Sequence, residues 1–141
     1  MIDILSPLIS RSYHPLPLYV SSVTAGFPSP ADDYIENALD LNELLIKHPT
    51  ATFFVRVSGH SMVNAGIHHR DILIVDRSLP PVSGRIVVAA IDGQLTVKRL
   101  KKTTDGRLFL MPENEGFLPI AVKPEHDIYI WGVFTNVIHS V

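Results

Sequence analysis

Apolar and polar positions alternate with period two through most of the chain beyond residue 51. We interpret the β-branched runs that carry this alternation as strands: TFFVRV, DILIVD, RIVVAAID, QLTVKRL, RLFLMP, PIAVK and DIYIWGVFTNVIHSV. Asp92-Gly93, between two of these runs, predicts a hairpin turn. We take the last run as an exposed edge strand and a candidate dimer interface. The pattern predicts a compact, mostly β body.

The first thirty residues lack this periodicity and contain five prolines, so we expect an extended N-terminal arm. Ser29-Pro30-Ala31-Asp32 then carries helix-start signals, namely a serine cap, a proline at the first helical position and an early acid. A second helix start is predicted at Asp40, with Glu43 spaced as in a capping box. An apolar stripe follows it, formed by Leu41, Leu44 and Leu45. We therefore expect short helices ahead of the strands.

Composition narrows the class of protein. With 141 residues and 46% hydrophobic content, the chain can bury one sizeable core, so a single domain is expected. The net charge of −2 gives no excess of positive charge for phosphate backbones, which argues against direct, sequence-specific DNA binding. The absence of cysteine excludes disulfides, thiolate metal sites and a cysteine nucleophile, and suits a reducing compartment.

The N-terminal sequence predicts neither a signal peptide nor a membrane span. MIDILSPLISRSYHPLPLYV has no early basic cluster, and prolines interrupt its apolar residues. No run approaches the roughly 18 apolar residues that a membrane span requires. We expect a cytoplasmic protein without a membrane partner, and we expect no cofactor.

The stretch SGHSM contains Ser61, a candidate nucleophile. A serine flanked by Gly59 and Gly66 is usually a turn residue, and as a nucleophile it needs a base to accept its proton. His60 is adjacent, but neighbours on an extended chain point to opposite faces. The remaining histidines lie in polar or proline-flanked segments without the spacing of a base or a metal site, so no metal site is predicted.

Lysine is the other base known to serve a serine hydroxyl. With a pKa of about 10.4, a free lysine is neutral only about one time in a thousand near pH 7, so burial must lower the pKa. Lys98 is the lysine embedded in an apolar strand, QLTVKRL, and Arg99 could add repulsion. Alternatively, Lys98 is an edge-strand lysine whose stem covers apolar surface while its head stays in water. The pattern alone leaves both interpretations open.

Four segments together carry a family resemblance. FFVRVSGHSM, GIHHRDILIVDRS, GRIVVAAIDGQLTVKRL and LMPENEGFLPI closely resemble, in this order, the C-terminal domain of the LexA/UmuD family of self-cleaving serine proteases. The match continues upstream through GFPSPADDYIENALDLNELLIKHPTATFF, which resembles the UmuD branch rather than the repressors. The resemblance implies a single compact Ser-Lys protease domain of twisted antiparallel strands with short helices, preceded by an extended arm.

The resemblance also implies roles for individual residues. Ser61 would be the nucleophile, Lys98 the general base, and the backbone amides of His60 and Ser61 the oxyanion donors. Many relatives carry another residue at the position of His60. That difference keeps the amide, but it can alter the pH dependence near the site.

The implied cleavage site lies in the arm. The family cuts itself at a small residue followed by glycine, and the segment from Val23 to Pro28 supplies Ala25-Gly26. Cleavage there would remove an arm of residues 1–25 from a domain of residues 26–141. Gly26 lets the chain approach the nucleophile without a Cβ clash.

By resemblance, the partners are those of SOS mutagenesis. The RecA filament on single-stranded DNA would stimulate cleavage, and the shortened chain would join an error-prone Y-family DNA polymerase subunit of the UmuC type. The family acts as a homodimer, and whether cleavage occurs within a chain or between partners stays open.

Three other classes of protein have sequence marks of their own. A repressor needs a helix-turn-helix domain ahead of the cut, but the 25 residues there are broken by prolines. A membrane-bound signal peptidase needs an apolar anchor, and the sequence has no apolar run long enough to form one. A non-catalytic protein-binding module of the same fold would be marked by loss of Ser61, Lys98 or the Ala25-Gly26 pair, and all are present.

Overall fold

The described part of the chain divides into a larger and a smaller unit. The computed structural model describes residues 2–5, 15–19 and 35–141. The larger unit comprises residues 2–5 and 48–141, and the smaller one comprises residues 15–19 and 35–47. None of the helices in these ranges has the length and apolar content that crossing a bilayer requires.

An antiparallel sheet dominates the larger unit. In chain order its strands are β1 (Ile2–Leu5), β4 (Thr52–Val57), β5 (Ile72–Asp76), β6 (Ile86–Ile91), β7 (Gln94–Lys102), β8 (Leu108–Met111), β9 (Ile120–Val122) and β10 (Ile128–Ile138), with β2 and β3 in the smaller unit. Their order across the sheet is β1-β4-β5-β10-β6-β7-β8-β9. Each run interpreted as a strand forms one, so the mostly β fold class is confirmed.

The turn between β6 and β7 has the predicted hairpin form. Ile91 pairs with Gln94, leaving Asp92 and Gly93 as a two-residue loop. Both loop residues have positive φ, 48° and 79°, as a type I′ turn requires. This tight turn sets the register of β7.

The sheet buries apolar side chains on both faces. Adjacent strand residues point to opposite faces, and Val87 and Val88 of β6 accordingly belong to two different core clusters. This double burial explains why the run RIVVAAID is nearly continuous in apolar residues rather than alternating.

The C-terminal strand corrects one sequence expectation. We expected it at an exposed edge, but β10 lies between β5 and β6 in the interior of the sheet. A Cβ on its Gly132 would lie 2.8 Å from Val75 Cγ1, so the backbone packs closely at this point. Because strand order depends on non-local pairing, the local pattern could not distinguish a central strand from an edge. The expectation that this run forms an edge strand is therefore wrong, and the run cannot form a dimer interface by edge-strand pairing.

The smaller unit contains the antiparallel pair β2 (Leu16–Tyr19) and β3 (Ile35–Leu39), followed by the short helix α1 (Leu41–Leu45). The second predicted helix start is confirmed, since the Asp40 carboxylate caps α1 by accepting a hydrogen bond from the Asn42 amide at 3.2 Å. Leu41 and Leu44 are exposed, so the predicted apolar stripe forms no buried face.

The segment that follows the first predicted helix start forms a strand. Its start at residues 29–32 lies outside the described residues, but residues 35–39, which would continue it, form β3. Cap signals are local, whereas β3 is stabilised by pairing with β2. A helix that begins at this start does not extend into residues 35–39, and the predicted start itself lies outside the described residues.

At the edge of the large sheet, β1 pairs with β4 over four residue pairs, from Ile2 opposite Val57 to Leu5 opposite Phe54. β4 therefore has a neighbour on each side, β1 and β5. The beginning of the arm thus takes part in the sheet.

Candidate active site

Ser61 lies in the turn that follows β4. Gly59 has φ 106° before it, and Gly66, with φ 83°, ends the 3₁₀ turn Val63–Ala65 after it. A Cβ would meet no atom at either glycine, so the left-handed backbone is what selects glycine here. Met62 is 2% exposed and belongs to the core next to β4. The two glycines thus turn the chain so that Met62 is buried while Ser61 stays partly exposed.

The side chain of Lys98, on β7, extends to this turn from a distant part of the sequence. Its Nζ lies 2.9 Å from Ser61 Oγ, and Nζ also donates to Thr96 Oγ1 at 2.9 Å and to the Val97 carbonyl at 3.0 Å. Thr96 and Lys98 share a face because they are two residues apart on a strand. The alternative of a lysine with its head in water is wrong, because Lys98 is only 8% exposed.

Burial controls the protonation of Lys98. Desolvation lowers the pKa of its ammonium, since a charged amine loses hydration in the protein interior. The expected repulsion from Arg99 is absent from the causes of the shift. Arg99 instead forms an ion pair with Glu113 and donates to the Gly84 carbonyl. The lowered pKa increases the fraction of neutral amine, which is the form that can accept a proton from a hydroxyl.

A shallow cavity opens beside Ser61 Oγ. It has a volume of about 50 Å³ and is lined by the turn and by the start of β7, with Val57, Ser58, Gly59, Ser61, Met62, Leu95, Thr96 and Val97 as its walls. A cavity of this volume accommodates a small side chain.

Two residues that sequence reasoning missed hold the turn in place. The Glu113 amide donates to the Ser61 carbonyl at 2.7 Å, and Asn114 Nδ2 donates to the His60 carbonyl at 2.7 Å. A third hydrogen bond connects the same two segments, with the Asn64 amide donating to the Glu113 carbonyl at 2.8 Å. The segment PENEG that carries them has the composition of an ordinary loop, and no spacing connects it with residue 60.

These bonds orient the peptide groups around the nucleophile. The Ser61 amide belongs to the same planar peptide unit as the His60 carbonyl, so fixing that carbonyl also fixes the direction of the N–H. Within the described residues, neither the His60 nor the Ser61 amide donates to a protein acceptor. Both N–H groups are therefore available to a negatively charged oxygen.

The His60 side chain is exposed and packs against the His69 ring, with centroids 5.5 Å apart. His69 Nδ1 in turn accepts a hydrogen bond from the Gly59 amide at 3.0 Å. Nζ of Lys98, not an imidazole, contacts Ser61 Oγ. The predicted cleavage site, Ala25-Gly26, lies outside the described residues.

A second serine lies near a histidine and a carboxylate. Ser78 Oγ is 3.1 Å from His48 Nδ1, and the same Nδ1 is 2.6 Å from the Asp76 carboxylate. A serine triad needs the serine and the carboxylate on opposite ring nitrogens, because the base must pass a proton from one side while the acid holds the other. With both partners at Nδ1, this cluster is a structural hydrogen-bond network.

Comparison with known proteins identifies the family. The Peptidase S24-like family matches residues 17–135. Protein MucA of Salmonella typhimurium is 43% identical over 136 residues, which cover 96% of this chain and 92% of MucA. Protein ImpA of Shigella flexneri is 46% identical over 129 residues, covering 87% and 83% of the two chains.

A third relative agrees. Protein SamA of Salmonella typhimurium strain LT2 is 46% identical over 124 residues, covering 88% of this chain and 85% of SamA. The predicted resemblance to the UmuD branch is thereby confirmed. The chain belongs to the Peptidase S24-like family, the self-cleaving serine proteases to which its serine and lysine motifs pointed.

Proposed function

We propose that this chain is an SOS mutagenesis protein that cuts itself between Ala25 and Gly26, with Ser61 as nucleophile and Lys98 as general base. The observation that carries the proposal is the 2.9 Å separation of Ser61 Oγ from the buried Nζ of Lys98. Membership of the Peptidase S24-like family supports it independently of that distance.

The chemistry divides into formation of an ester and its hydrolysis, with Lys98 transferring protons in both stages. Neutral Lys98 accepts the Ser61 proton while Oγ attacks the Ala25 carbonyl carbon, and the resulting oxyanion accepts hydrogen bonds from the His60 and Ser61 amides. The Lys98 ammonium then protonates the Gly26 nitrogen as the Ala25–Gly26 bond breaks. An ester between Ser61 and Ala25 remains, and water hydrolyses it with Lys98 as base. Thr96 Oγ1 and the Val97 carbonyl hold the amine in position between these steps.

The cavity beside Ser61 supports the choice of bond. Its volume of about 50 Å³ suits an alanine side chain at the residue before the cut. Gly26 on the other side of the bond supplies no Cβ to clash with the turn.

The cellular role in the proposal follows from the family. The RecA filament on single-stranded DNA would favour the state in which the arm occupies the site, so it raises the rate by population shift. The shortened chain, residues 26–141, would then serve as a homodimeric accessory to a UmuC-type Y-family DNA polymerase in translesion synthesis. The similarity to MucA, ImpA and SamA over most of each chain supports this assignment.

The direct test is intact-mass spectrometry of the purified chain, with and without RecA, ATP and single-stranded DNA. We expect a new species that begins at Gly26 and accumulates faster with the filament, and slowly without it at pH 9 to 10. Cleavage at another bond would contradict the assigned site. Cleavage at Ala25-Gly26 that the filament does not accelerate would contradict the SOS role while leaving the chemistry intact.

Asn114 provides a test of the oxyanion site. Asn114→Ala removes the hydrogen bond to the His60 carbonyl, so the Ser61 N–H loses its fixed direction. Since removal of a direct oxyanion donor costs about 10²–10³-fold, we expect a smaller loss, about tenfold, in the first-order cleavage rate. The midpoint of the pH–rate profile should stay unchanged because Lys98 is untouched.

Asn64→Ala is the matched control, because Asn64 contacts Glu113 through its backbone amide and alanine keeps that bond. An Asn114→Ala rate equal to that of Asn64→Ala would show that the side chain does not position the site.

A further inference from the structure

A group of metal-ligating side chains lies outside the proposed active site. Asp71 is 2% exposed, and imidazoles flank both of its carboxylate oxygens. His139 Nδ1 lies 2.5 Å from Oδ1, and His68 Nδ1 lies 3.7 Å from Oδ2. One ligand atom from each of the three residues falls within 4.8 Å of the others.

The sheet brings these residues together from distant parts of the sequence. His68 and Asp71 belong to the turn that leads into β5, and the turn is closed by a bond from the Asp71 amide to the His68 carbonyl at 3.1 Å. His139 directly follows β10. Because β10 pairs with β5 with Ile138 opposite Ile72, the residue that follows β10 falls beside Asp71. The pairing of two central strands thus fixes the position of all three side chains.

The Asp71 carboxylate is prepared to act as a ligand. The His68 amide donates to Oδ2 at 2.7 Å, which orients the carboxylate in the manner of outer-shell partners in metal sites. A buried, oriented anion thus faces two imidazoles.

We propose that His68, Asp71 and His139 bind a divalent transition-metal cation, specifically Zn²⁺. Two imidazoles and one carboxylate are the ligands of zinc sites, whereas Mg²⁺ and Ca²⁺ prefer sets made of oxygens. Both imidazoles are partly exposed, 49% for His68 and 42% for His139, so solvent can reach the site and supply the fourth ligand.

A second buried carboxylate beside a histidine provides a comparison for the proposed zinc site. Asp76 is a second buried carboxylate, 4% exposed, and its Oδ2 lies 2.6 Å from His48 Nδ1. It has one imidazole rather than two, with Ser78 as its other partner. If zinc needs the full set of three ligands, the pair of His48 and Asp76 should not hold the ion.

Isothermal titration of the full-length chain with ZnCl₂, after removal of metal with EDTA, tests the site. We expect one Zn²⁺ per chain and no corresponding binding of Mg²⁺. His68→Ala and His139→Ala should each weaken binding by at least about 100-fold, since even outer-shell changes cost about 10–100-fold. His48→Ala is the matched control and should bind Zn²⁺ as the unaltered chain does.

Two results would overturn the site: no Zn²⁺ binding by the unaltered chain, or equal affinity in His68→Ala and His139→Ala to that of the unaltered chain. Circular dichroism shows whether each variant is folded. A measurement on the unaltered chain covers the case in which a variant does not fold. There Zn²⁺ should shift the imidazole NMR signals of two of the seven histidines, and shifts spread over all of them would contradict the proposal.

Discussion

Ser61→Ala is expected to abolish cleavage at Ala25-Gly26 while leaving the fold unchanged. The substitution removes the hydroxyl oxygen that lies 2.9 Å from Lys98 Nζ and beside the adjacent cavity. Loss of a catalytic nucleophile lowers the rate by about 10⁴-fold or more, so no product should appear over the hours in which the unaltered chain is cut. Intact-mass spectrometry measures the fraction cleaved, and circular dichroism compares the folds.

Ser78→Ala is the matched control for this prediction. Ser78 also lies beside a histidine and a carboxylate, but the Ser78 hydroxyl and the Asp76 carboxylate contact the same ring nitrogen of His48. We expect Ser78→Ala to cut at the rate of the unaltered chain. Cleavage that survives in Ser61→Ala, or that disappears in Ser78→Ala from a folded protein, would reassign the nucleophile. A folded chain that cuts under no condition would instead favour a non-catalytic binding module.

Lys98→Met is expected to abolish cleavage at every pH, and the unaltered chain should cut faster as pH rises. Burial lowers the pKa of Lys98, and in the proposed mechanism the neutral amine is the form that accepts the proton. Below that pKa, each unit of pH should raise the rate about tenfold, and above it the rate should level off. The profile is measured as first-order rates by mass spectrometry between about pH 7 and 10.

The same shift gives a stability prediction with a definite sign. Because the folded-state pKa of Lys98 lies below its unfolded value, the unfolded chain binds more protons between the two. The contribution of Lys98 to the free energy of unfolding therefore rises with pH across that window, and Lys98→Met should remove the rise. Lys101→Met, on the same strand but exposed, is the matched control and should keep both the rate profile and the stability profile. A rate of the unaltered chain that is flat from about pH 7 to 10 would count against Lys98 as the titrating base.

The strands were predictable because each depends on a local pattern. Period two and β-branched residues indicated every strand from β4 to β10, and Asp92-Gly93 indicated its hairpin. Strand order was not predictable, since the same local pattern fits a central or an edge strand, and β10 is central. The segment from Ile35 to Leu39 is the converse case, because it lies downstream of helix-start signals and yet pairs with β2 as a strand.

The site was predictable only in part, for a related reason. Ser61 and Lys98 stand 37 residues apart, and the residues alone left open whether Lys98 meets the serine or the solvent. The family resemblance, rather than the residues alone, predicted that the two side chains act together. Asn114 gave no signal because its amide recognises a backbone carbonyl, which every residue type provides. His68 and His139 are distant in the sequence and come together only through the pairing of β5 with β10.

The pairing of β1 with β4 determines the fate of the arm after the proposed cut. β1 and β2 both lie upstream of Ala25, so hydrolysis would leave the fragment joined to the rest by the ladders of β1 with β4 and of β2 with β3, and no longer by the chain. An intramolecular contact would then become an equilibrium between two molecules, with a dissociation constant and a dependence on dilution. Release of the fragment would be a step separate from cleavage, and it would turn β4 into an edge with unpaired amides and carbonyls.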